Sequence, residues 1–221
     1  MLRGIFVTGT DTGVGKTVAA AALLLRYRGL FPVKYWKPIQ TGIEQDDDTA
    51  EVARLAGCRP DEILAAGVRL ERPVSPHLAA RLAGRAIDLD AVAALALREP
   101  DSTRLIVEGA GGVLVPVSER ANMADLMVGL SLPALVVART ALGTINHTLL
   151  TIEALRRRRV HAAGVIMVGV PNDDNQQAIE QYGGIPVLGV MPPLSPLTPE
   201  SLAKWAASEL DPNGRLGHLL Q

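Results

Sequence analysis

Residues 9–17 read Gly-Thr-Asp-Thr-Gly-Val-Gly-Lys-Thr, and they lie between a short apolar run and an alanine- and leucine-rich stretch that predicts a helix. Three glycines allow a tight turn whose backbone N–H groups point at one anion, and the following helix presents its positive end to the same anion. Lys16 can reach the outer phosphates of a nucleotide, and the Thr17 hydroxyl can ligate Mg²⁺. The segment predicts a phosphate-binding loop and a nucleoside triphosphate ligand.

Composition favours one soluble domain over residues 1–221. The chain is 48% hydrophobic, which is enough for one substantial core. Its 22 basic residues nearly cancel its 23 acidic residues, so the net charge predicts neither a nucleic acid nor an anionic membrane as partner. The arginine run at residues 156–159 is interpreted as a solvated helix end.

Cysteine usage and the N-terminus indicate the cytoplasm. Cys58 is the single cysteine, so no intrachain disulfide and no thiolate metal cluster is expected. The first predicted strand starts within four residues of the N-terminus, which leaves no room for a signal peptide, and no apolar stretch has the length of a membrane span. We expect a cytoplasmic protein.

Apolar runs rich in β-branched residues alternate with helical patterns, which predicts an α/β fold: a three-layer, P-loop NTPase-like architecture with a mostly parallel sheet and helices on both faces. Ligands of such sheets bind at the carboxyl ends of the strands. Strands are predicted near residues 4–8, 31–37, 104–108, 134–138, 162–168 and 186–191, and helices at 16–27, 49–56, 77–82, 89–97, 123–130, 146–157, 174–182 and 199–208.

Two charged residues end predicted strands and should therefore lie near the phosphate-binding loop. Lys37 could neutralise charge during phosphoryl transfer or hold an anionic substrate, although a surface lysine beside Pro38 is an open alternative. Glu108 precedes a glycine-rich turn at residues 109–112 and is the expected position of a carboxylate linked to Mg²⁺.

Three further segments carry weaker signals. Among the aspartates at residues 46–48, Asp48 is preferred over Asp47 as a metal contact, although one of them could serve only as a helix N-cap. Ser75 starts a helix and could offer its hydroxyl to a ligand, but serine is also a common N-cap. His147 is interpreted as a capping or packing residue, since no His/Cys cluster supports a transition metal.

Taken together, residues 8–17, 36–38, 75–77, 107–112 and 142–147 closely resemble, in order, the motifs of dethiobiotin synthetases. The resemblance implies a homodimeric, Mg²⁺-dependent ligase that uses ATP as co-substrate. Such an enzyme joins CO₂ to 7,8-diaminopelargonic acid: one amine forms a carbamate, the carbamate attacks the γ-phosphate, and the second amine closes a cyclic urea. No protein nucleophile is needed.

The resemblance also implies residue roles. Lys16 and Lys37 would be the catalytic cations, and Thr17, Asp48 and Glu108 would surround Mg²⁺. Substrate contacts would come from Thr12, Lys37, Thr41 and Ser75, and, across the dimer interface, from Gly143, Thr144 and Asn146 at the substrate's distant carboxylate. The nucleotide would contact Gly13, Val14, Gly15, Lys16, Thr17, Val18, Asp48, Glu108, Gly109, Ala110, Gly111, Val168, Gly169, Val190, Met191 and Pro192.

The chain departs from the family at the position that reads the base. Val168 and Gly169 stand where many members carry an asparagine that reads adenine, which implies weaker discrimination among triphosphates.

Two other classes of protein share this architecture. Nucleotide-switch ATPases that position other proteins or DNA are the alternative function, but they usually carry a lysine where this chain has Asp11. Amidotransferase-linked synthetases need a glutaminase domain with a catalytic cysteine, which Cys58 does not provide.

Overall fold

Nine strands run through residues 2–221, the part of the chain that the computed structural model describes. The longer strands β1, β6, β7 and β8 are buried along most of their length, as expected for parallel strands covered on both faces. They are β1 Arg3–Gly9, β2 Val33–Trp36, β3 Ile39–Thr41, β4 Ile63–Leu64, β5 Val68–Leu70, β6 Arg104–Gly112, β7 Ala134–Arg139, β8 Ala162–Val168 and β9 Val187–Met191.

Helices connect these strands, together with a 3₁₀ turn at Pro60–Glu62. Because parallel strands need crossovers, most helices lie between consecutive strands of the sheet. They are α1 Lys16–Tyr27, α2 Asp48–Ala56, α3 Pro76–Leu82, α4 Leu89–Ala96, α5 Met123–Leu130, α6 Thr144–Arg157, α7 Asp173–Gly183, α8 Pro199–Ser208 and α9 Arg215–Leu220.

Seven strands form one sheet in the order β4-β2-β6-β1-β7-β8-β9, and every neighbouring pair is parallel. A second, two-stranded parallel sheet pairs β3 with β5. The predicted α/β class with a mostly parallel sheet is therefore confirmed. β1 lies between β6 and β7, so the loop after β1 sits centrally at the carboxyl edge of the sheet.

Alternate side chains of β1 enter two separate cores, one on each face of the sheet. Ile5 and Val7 pack on the side that holds α1 and α8, whereas Phe6 packs on the opposite side with α5. This alternation is the two-residue period of a strand. It produces the predicted three layers.

Several predicted boundaries were wrong. β3, β4, β5 and α9 were not predicted, because runs of two to six residues are too short to show a period. The strand predicted at 104–108 continues to Gly112, which pairs with Gly9 beyond a register shift. A β-carbon at Gly112 would stand 3.2 Å from the Gly9 carbonyl oxygen, so glycine permits this close pairing. The helix predicted at 146–157 begins two residues earlier, at Thr144.

Within residues 2–221, no helix combines the length and the apolar character that crossing a bilayer requires.

The register between β1 and β6 depends on Gly4, whose φ is +149° and whose β-carbon, if present, would stand 2.0 Å from the Leu105 carbonyl oxygen. We expect Gly4→Ala to lower the free energy of unfolding by about 3 kcal/mol or more, because backbone would have to move. Gly129→Ala in α5 is the matched control: its β-carbon meets no atom within 4 Å, so it should stabilise the protein by about 0.5–1 kcal/mol. Urea unfolding followed by circular dichroism measures both; equal midpoints would contradict the expectation.

Candidate active site

The loop between β1 and α1 has the backbone conformation of an anion-binding turn. Gly13 and Gly15 have φ values of +68° and +100°, in the left-handed region that favours glycine. A β-carbon at Gly15 would stand 3.2 Å from the Val168 side chain, so the loop packs closely against β8. α1 starts with no side-chain cap and no acidic residue in its first turn, which leaves its first amides available to an anion.

Lys16 lies against this loop. Its ammonium donates a hydrogen bond to the Asp11 carbonyl oxygen over 3.0 Å, and the residue is only 7% exposed. Burial, and then repulsion from Lys37, lower the pKa of Lys16 below its ordinary value. An anion bound at the loop would oppose both effects and favour the charged form.

Four side chains from four different segments meet beside the loop: Thr17 of α1, Lys37 after β2, Asp48 of α2 and Glu108 of β6. The Lys37 ammonium lies 2.5 Å from Asp48 Oδ2 and 2.8 Å from Glu108 Oε1. The Thr17 hydroxyl lies 2.8 Å from Asp48 Oδ1 and 3.1 Å from Glu108 Oε1. We call these four residues the Lys37 cluster.

Lys37 is the centre of this cluster and is 3% exposed, which excludes the alternative of a surface lysine. Its third proton goes to the Gly109 carbonyl oxygen over 3.1 Å, so all three N–H donors are satisfied by protein. Burial alone would lower the pKa of Lys37, but the carboxylates of Glu108 and Asp48 outweigh burial, and the pKa is raised. The site thus holds a buried lysine in its charged form.

Glu108 is fully buried and is oriented by a residue that sequence reasoning missed. The Tyr35 hydroxyl donates to Glu108 Oε2 over 2.9 Å. Burial, followed by the nearby carboxylate, raises the pKa of Tyr35 well above its ordinary value, so the phenol remains a donor. Tyr35 lies on β2 and Lys37 follows it by two residues, just past the end of the strand, and this spacing could have indicated a shared face.

Asp47 and Asp48, at the start of α2, have different partners. Asp47 is the N-cap: its Oδ1 accepts from the Thr49 and Ala50 amides over 2.9 and 3.1 Å. Asp48, the first helical residue, faces the Lys37 cluster instead. Burial would raise the pKa of Asp48, but Lys37 outweighs burial and lowers the pKa below its ordinary value of 3.8.

The chemistry of the cluster fits Mg²⁺. Thr17, Asp48 and Glu108 supply hard oxygen donors, and the ammonium of Lys37 between the two carboxylates marks a position that favours a cation. In the part of the chain that is described, no group of three or more His, Cys, Asp or Glu side chains forms a metal site. Remaining ligands would have to come from phosphate oxygens and water, as is usual for Mg²⁺ bound with a nucleotide.

The Lys37 cluster opens into a cavity of about 310 Å³ beside the phosphate-binding loop. Thr12 and Thr41 line it, as do Gln40 and Asp46, which were not predicted. Gln40 Nε2 donates to the Asp46 and Thr41 carbonyl oxygens over 2.8 and 3.2 Å and so fixes the loop after β3. The other predicted residues lining the cavity are Gly13, Gly15, Lys16, Thr17, Val18, Lys37, Asp48, Glu108 and Ala110.

The residues predicted to meet the base lie on the other side of β1, at the carboxyl ends of β8 and β9. The Gly169 amide donates to the Met191 carbonyl oxygen over 2.9 Å, which joins the two strand ends. Asn172, the nearest asparagine in sequence, is engaged as the N-cap of α7 through the Asn175 amide. Val168 therefore has an apolar side chain where the resemblance implied an amide.

Four predicted substrate residues lie outside the 310 Å³ cavity. The Ser75 hydroxyl contacts His77 Nδ1 over 3.1 Å, and it does not cap α3. Gly143 begins α6 with φ +95° and no side-chain cap, and Asn146 is exposed in the first turn. Thr144 is buried, and its hydroxyl donates to the Arg139 carbonyl oxygen over 2.5 Å.

A second cavity, of about 410 Å³, separates α6 from the outer side of the phosphate-binding loop. Asp11, Thr12 and His147 are among its lining residues. Leu114 and Leu150 line the same cavity and are more than half exposed. The loop thus borders the Lys37 cluster on one side and an apolar surface on the other.

Comparison with known proteins matches the chain to one family over nearly its whole length. A family model described as an AAA domain matches residues 3–201. The ATP-dependent dethiobiotin synthetase BioD of Paramagnetospirillum magneticum is 50% identical over 91% of this chain and 94% of its own. The BioD of Agrobacterium fabrum is 46% identical over 89% of both chains.

Solved structures support the fold. The ParA family ATPase of Chlorobium tepidum aligns with 100% of this chain and 98% of its own at a TM-score of 0.56 and 13% identity. The septum site-determining protein MinD of Pyrococcus horikoshii, complexed with Mg-ADP, aligns with 100% of this chain and 95% of its own at a TM-score of 0.57 and 18% identity. At these identities the likeness concerns the fold alone.

The phosphate-binding loop, the buried lysine between two carboxylates and the identity to the BioD proteins lead to one conclusion. This chain belongs to the family of ATP-dependent dethiobiotin synthetases.

Proposed function

We propose that this chain joins CO₂ to 7,8-diaminopelargonic acid and closes the cyclic urea of dethiobiotin, with ATP converted to ADP and phosphate. The observation that supports this most is the Lys37 cluster, in which a buried ammonium and two carboxylates share one cavity with the phosphate-binding loop. The whole chain acts as one catalytic unit, in the cytoplasm, on small molecules.

Positive charge at the cavity is the chain's main contribution to catalysis. Lys16 and Lys37 offset the negative charge shared by the triphosphate, the carbamate and the transferred phosphoryl group. The free amides at the start of α1 hold the phosphates. Thr17, Asp48 and Glu108 hold Mg²⁺, which when bound neutralises phosphate charge and orients the γ-phosphate.

Lys37 has to exchange a partner to reach the reacting groups, because its three donors are satisfied by protein oxygens. Asp48 is the partner most easily given up: its side chain is 19% exposed, against 1% for Glu108. Glu108 and the Gly109 carbonyl then keep the ammonium anchored while its third proton turns toward the carbamate or the γ-phosphate. Tyr35 keeps Glu108 in place during this exchange.

The substrate lies between Thr12, Lys37, Thr41 and Ser75, and a second copy of the chain completes the site. Residues 143–146 of each copy receive the distant carboxylate of a substrate bound in the other, and the uncapped start of α6 suits that anion. The exposed side chains of Leu114, Leu142 and Leu150 provide apolar area for such a homodimer.

The base binds along the ends of β8 and β9, at Val168, Gly169, Val190, Met191 and Pro192. Because Val168 offers no hydrogen bond and Asn172 is engaged in capping, we propose that base selectivity is weak.

The purified protein should make dethiobiotin only when the diamine, bicarbonate and a triphosphate are all present. Mass spectrometry with labelled bicarbonate and each of four triphosphates measures both the product and the base preference, and we expect product from CTP as well as from ATP. A switch ATPase would instead respond to DNA or a protein partner. If the added diamine leaves phosphate release unchanged, the synthetase assignment fails.

Lys37→Ala should retain triphosphate binding but lower kcat by about 10²–10³-fold, because a charge-stabilising donor at the reacting groups is lost. Lys34→Ala is the matched control. Lys34 lies on β2, the strand that Lys37 follows, but pairs with Glu99 over 2.7 Å, so its loss should leave kcat within about twofold. Initial rates and calorimetric nucleotide binding separate the two effects. Normal turnover by Lys37→Ala would remove this residue from the reaction.

Asp48 and Asp47 should respond differently to substitution. Asp47→Ala should cost about 1 kcal/mol of stability through the lost N-cap and leave the Mg²⁺ dependence of activity unchanged. Asp48→Asn should raise the Mg²⁺ concentration needed for half-maximal rate.

The lowered pKa of Asp48 predicts a pH effect as well. Its stabilising contribution is complete above pH 3.8 and is lost as the pH falls through the folded-state pKa. Wild-type stability should therefore fall more steeply than that of Asp48→Asn below about pH 4, in urea unfolding at a series of pH values. Parallel curves would contradict this assignment.

A further inference from the structure

Arg139 is a third cation at the phosphate-binding loop, and none of the roles above uses its side chain. It is the last residue of β7 and is exposed. Its Nη2 donates to the Thr12 carbonyl oxygen over 3.3 Å and stands 3.9 Å from the position that a β-carbon of Gly13 would take. We propose that the Arg139 guanidinium contacts the γ-phosphate of the bound triphosphate; this rests on the proposed use of ATP.

The backbone of Arg139 is held from both sides, so only its side chain is free to move. It pairs in register with Val168 of β8. Its carbonyl oxygen accepts the Thr144 hydroxyl, and the next carbonyl, that of Thr140, accepts from Asn175 Nδ2 over 2.8 Å. A side chain on such a strand end is presented to the loop at a fixed position.

The charge of Arg139 is available to a ligand. A guanidinium carries five N–H donors, and the contact to Thr12 uses one of them. Within residues 2–221, no carboxylate lies within ion-pairing distance of Arg139, whereas Arg157 and Arg158 pair with Glu153 and Asp125. The phosphate-binding loop attracts an anion through its backbone amides. An unpaired guanidinium beside this loop adds positive charge and further N–H donors for the same anion.

The other two cations leave room for such a donor. Lys37 directs its protons at Asp48, Glu108 and the Gly109 carbonyl. Lys16 donates to the Asp11 carbonyl, and Arg139 donates to the next carbonyl of the loop, that of Thr12, so the two cations use different acceptors. A guanidinium can chelate two phosphoryl oxygens, which an ammonium cannot do. Gly13 has no side chain, so the guanidinium can cross the loop unobstructed.

The test compares binding of ATP with binding of ADP, because only ATP has the γ-phosphate. Calorimetry is done with Mg²⁺ and without diamine or bicarbonate, so that no turnover occurs. We expect Arg139→Gln to lower ATP affinity about 10- to 100-fold and ADP affinity by less than about threefold, since hydrogen bonds to a charged group are lost only with ATP. The ATP affinity of Arg139→Lys should lie between those of the wild type and Arg139→Gln, because lysine keeps the positive charge but cannot chelate two phosphoryl oxygens.

Arg157→Gln is the matched control, since it removes the same charge at the far end of α6, where Arg157 pairs with Glu153. It should change neither affinity. Equal losses for ATP and ADP in Arg139→Gln, or no loss for either, would each overturn the proposal. If the wild-type protein makes no dethiobiotin but Arg139→Gln still loses affinity for ATP and not for ADP, the proposed function is contradicted and this inference stands.

Discussion

The site depends on one buried ammonium held between two carboxylates. Lys37, Asp48 and Glu108 come from three different segments of the chain, and each charge would be costly to bury alone. Together they partly neutralise one another, but two carboxylates against one ammonium leave a net negative charge. That excess is what a divalent cation requires, and it lies directly beside a loop that attracts phosphate. The cavity thus places a site that favours a cation directly beside a site that favours an anion.

The fold creates this meeting point through the order of its strands. β2, β6 and β1 are neighbours, so the residues at their carboxyl ends converge although they lie near positions 37, 108 and 10 of the chain. The close pairing of Gly112 with Gly9 brings the end of β6 against the phosphate-binding loop. Tyr35 then orients Glu108 from the neighbouring strand. The packing of the sheet therefore determines which charged side chains meet at the site.

The sequence indicated the charged residues that meet beside the loop better than the residues that hold them in place. Lys37 and Glu108 follow strong apolar runs, and the rule that ligands bind at strand ends was sufficient to bring them together. Asp48 was preferred over Asp47 with little to distinguish them, because the choice depends on the residue at which α2 begins. Gln40 gave no signal, since its role is to bond carbonyl oxygens of the loop after β3, a strand of three residues. Arg139 was overlooked because an arginine at a strand end is informative only once the phosphate-binding loop is seen beside it.

The central claim is that Lys37 leaves Asp48 and turns to the reacting groups when the site is filled. A crystal structure with Mg²⁺, a non-hydrolysable ATP analogue and the diamine tests it most directly. The account predicts Mg²⁺ bound by Thr17, Asp48 and Glu108, with the Lys37 ammonium still near the Gly109 carbonyl and within about 3 Å of a γ-phosphate or carbamate oxygen. An ammonium that remains on both carboxylates, with Mg²⁺ bound elsewhere, would contradict it.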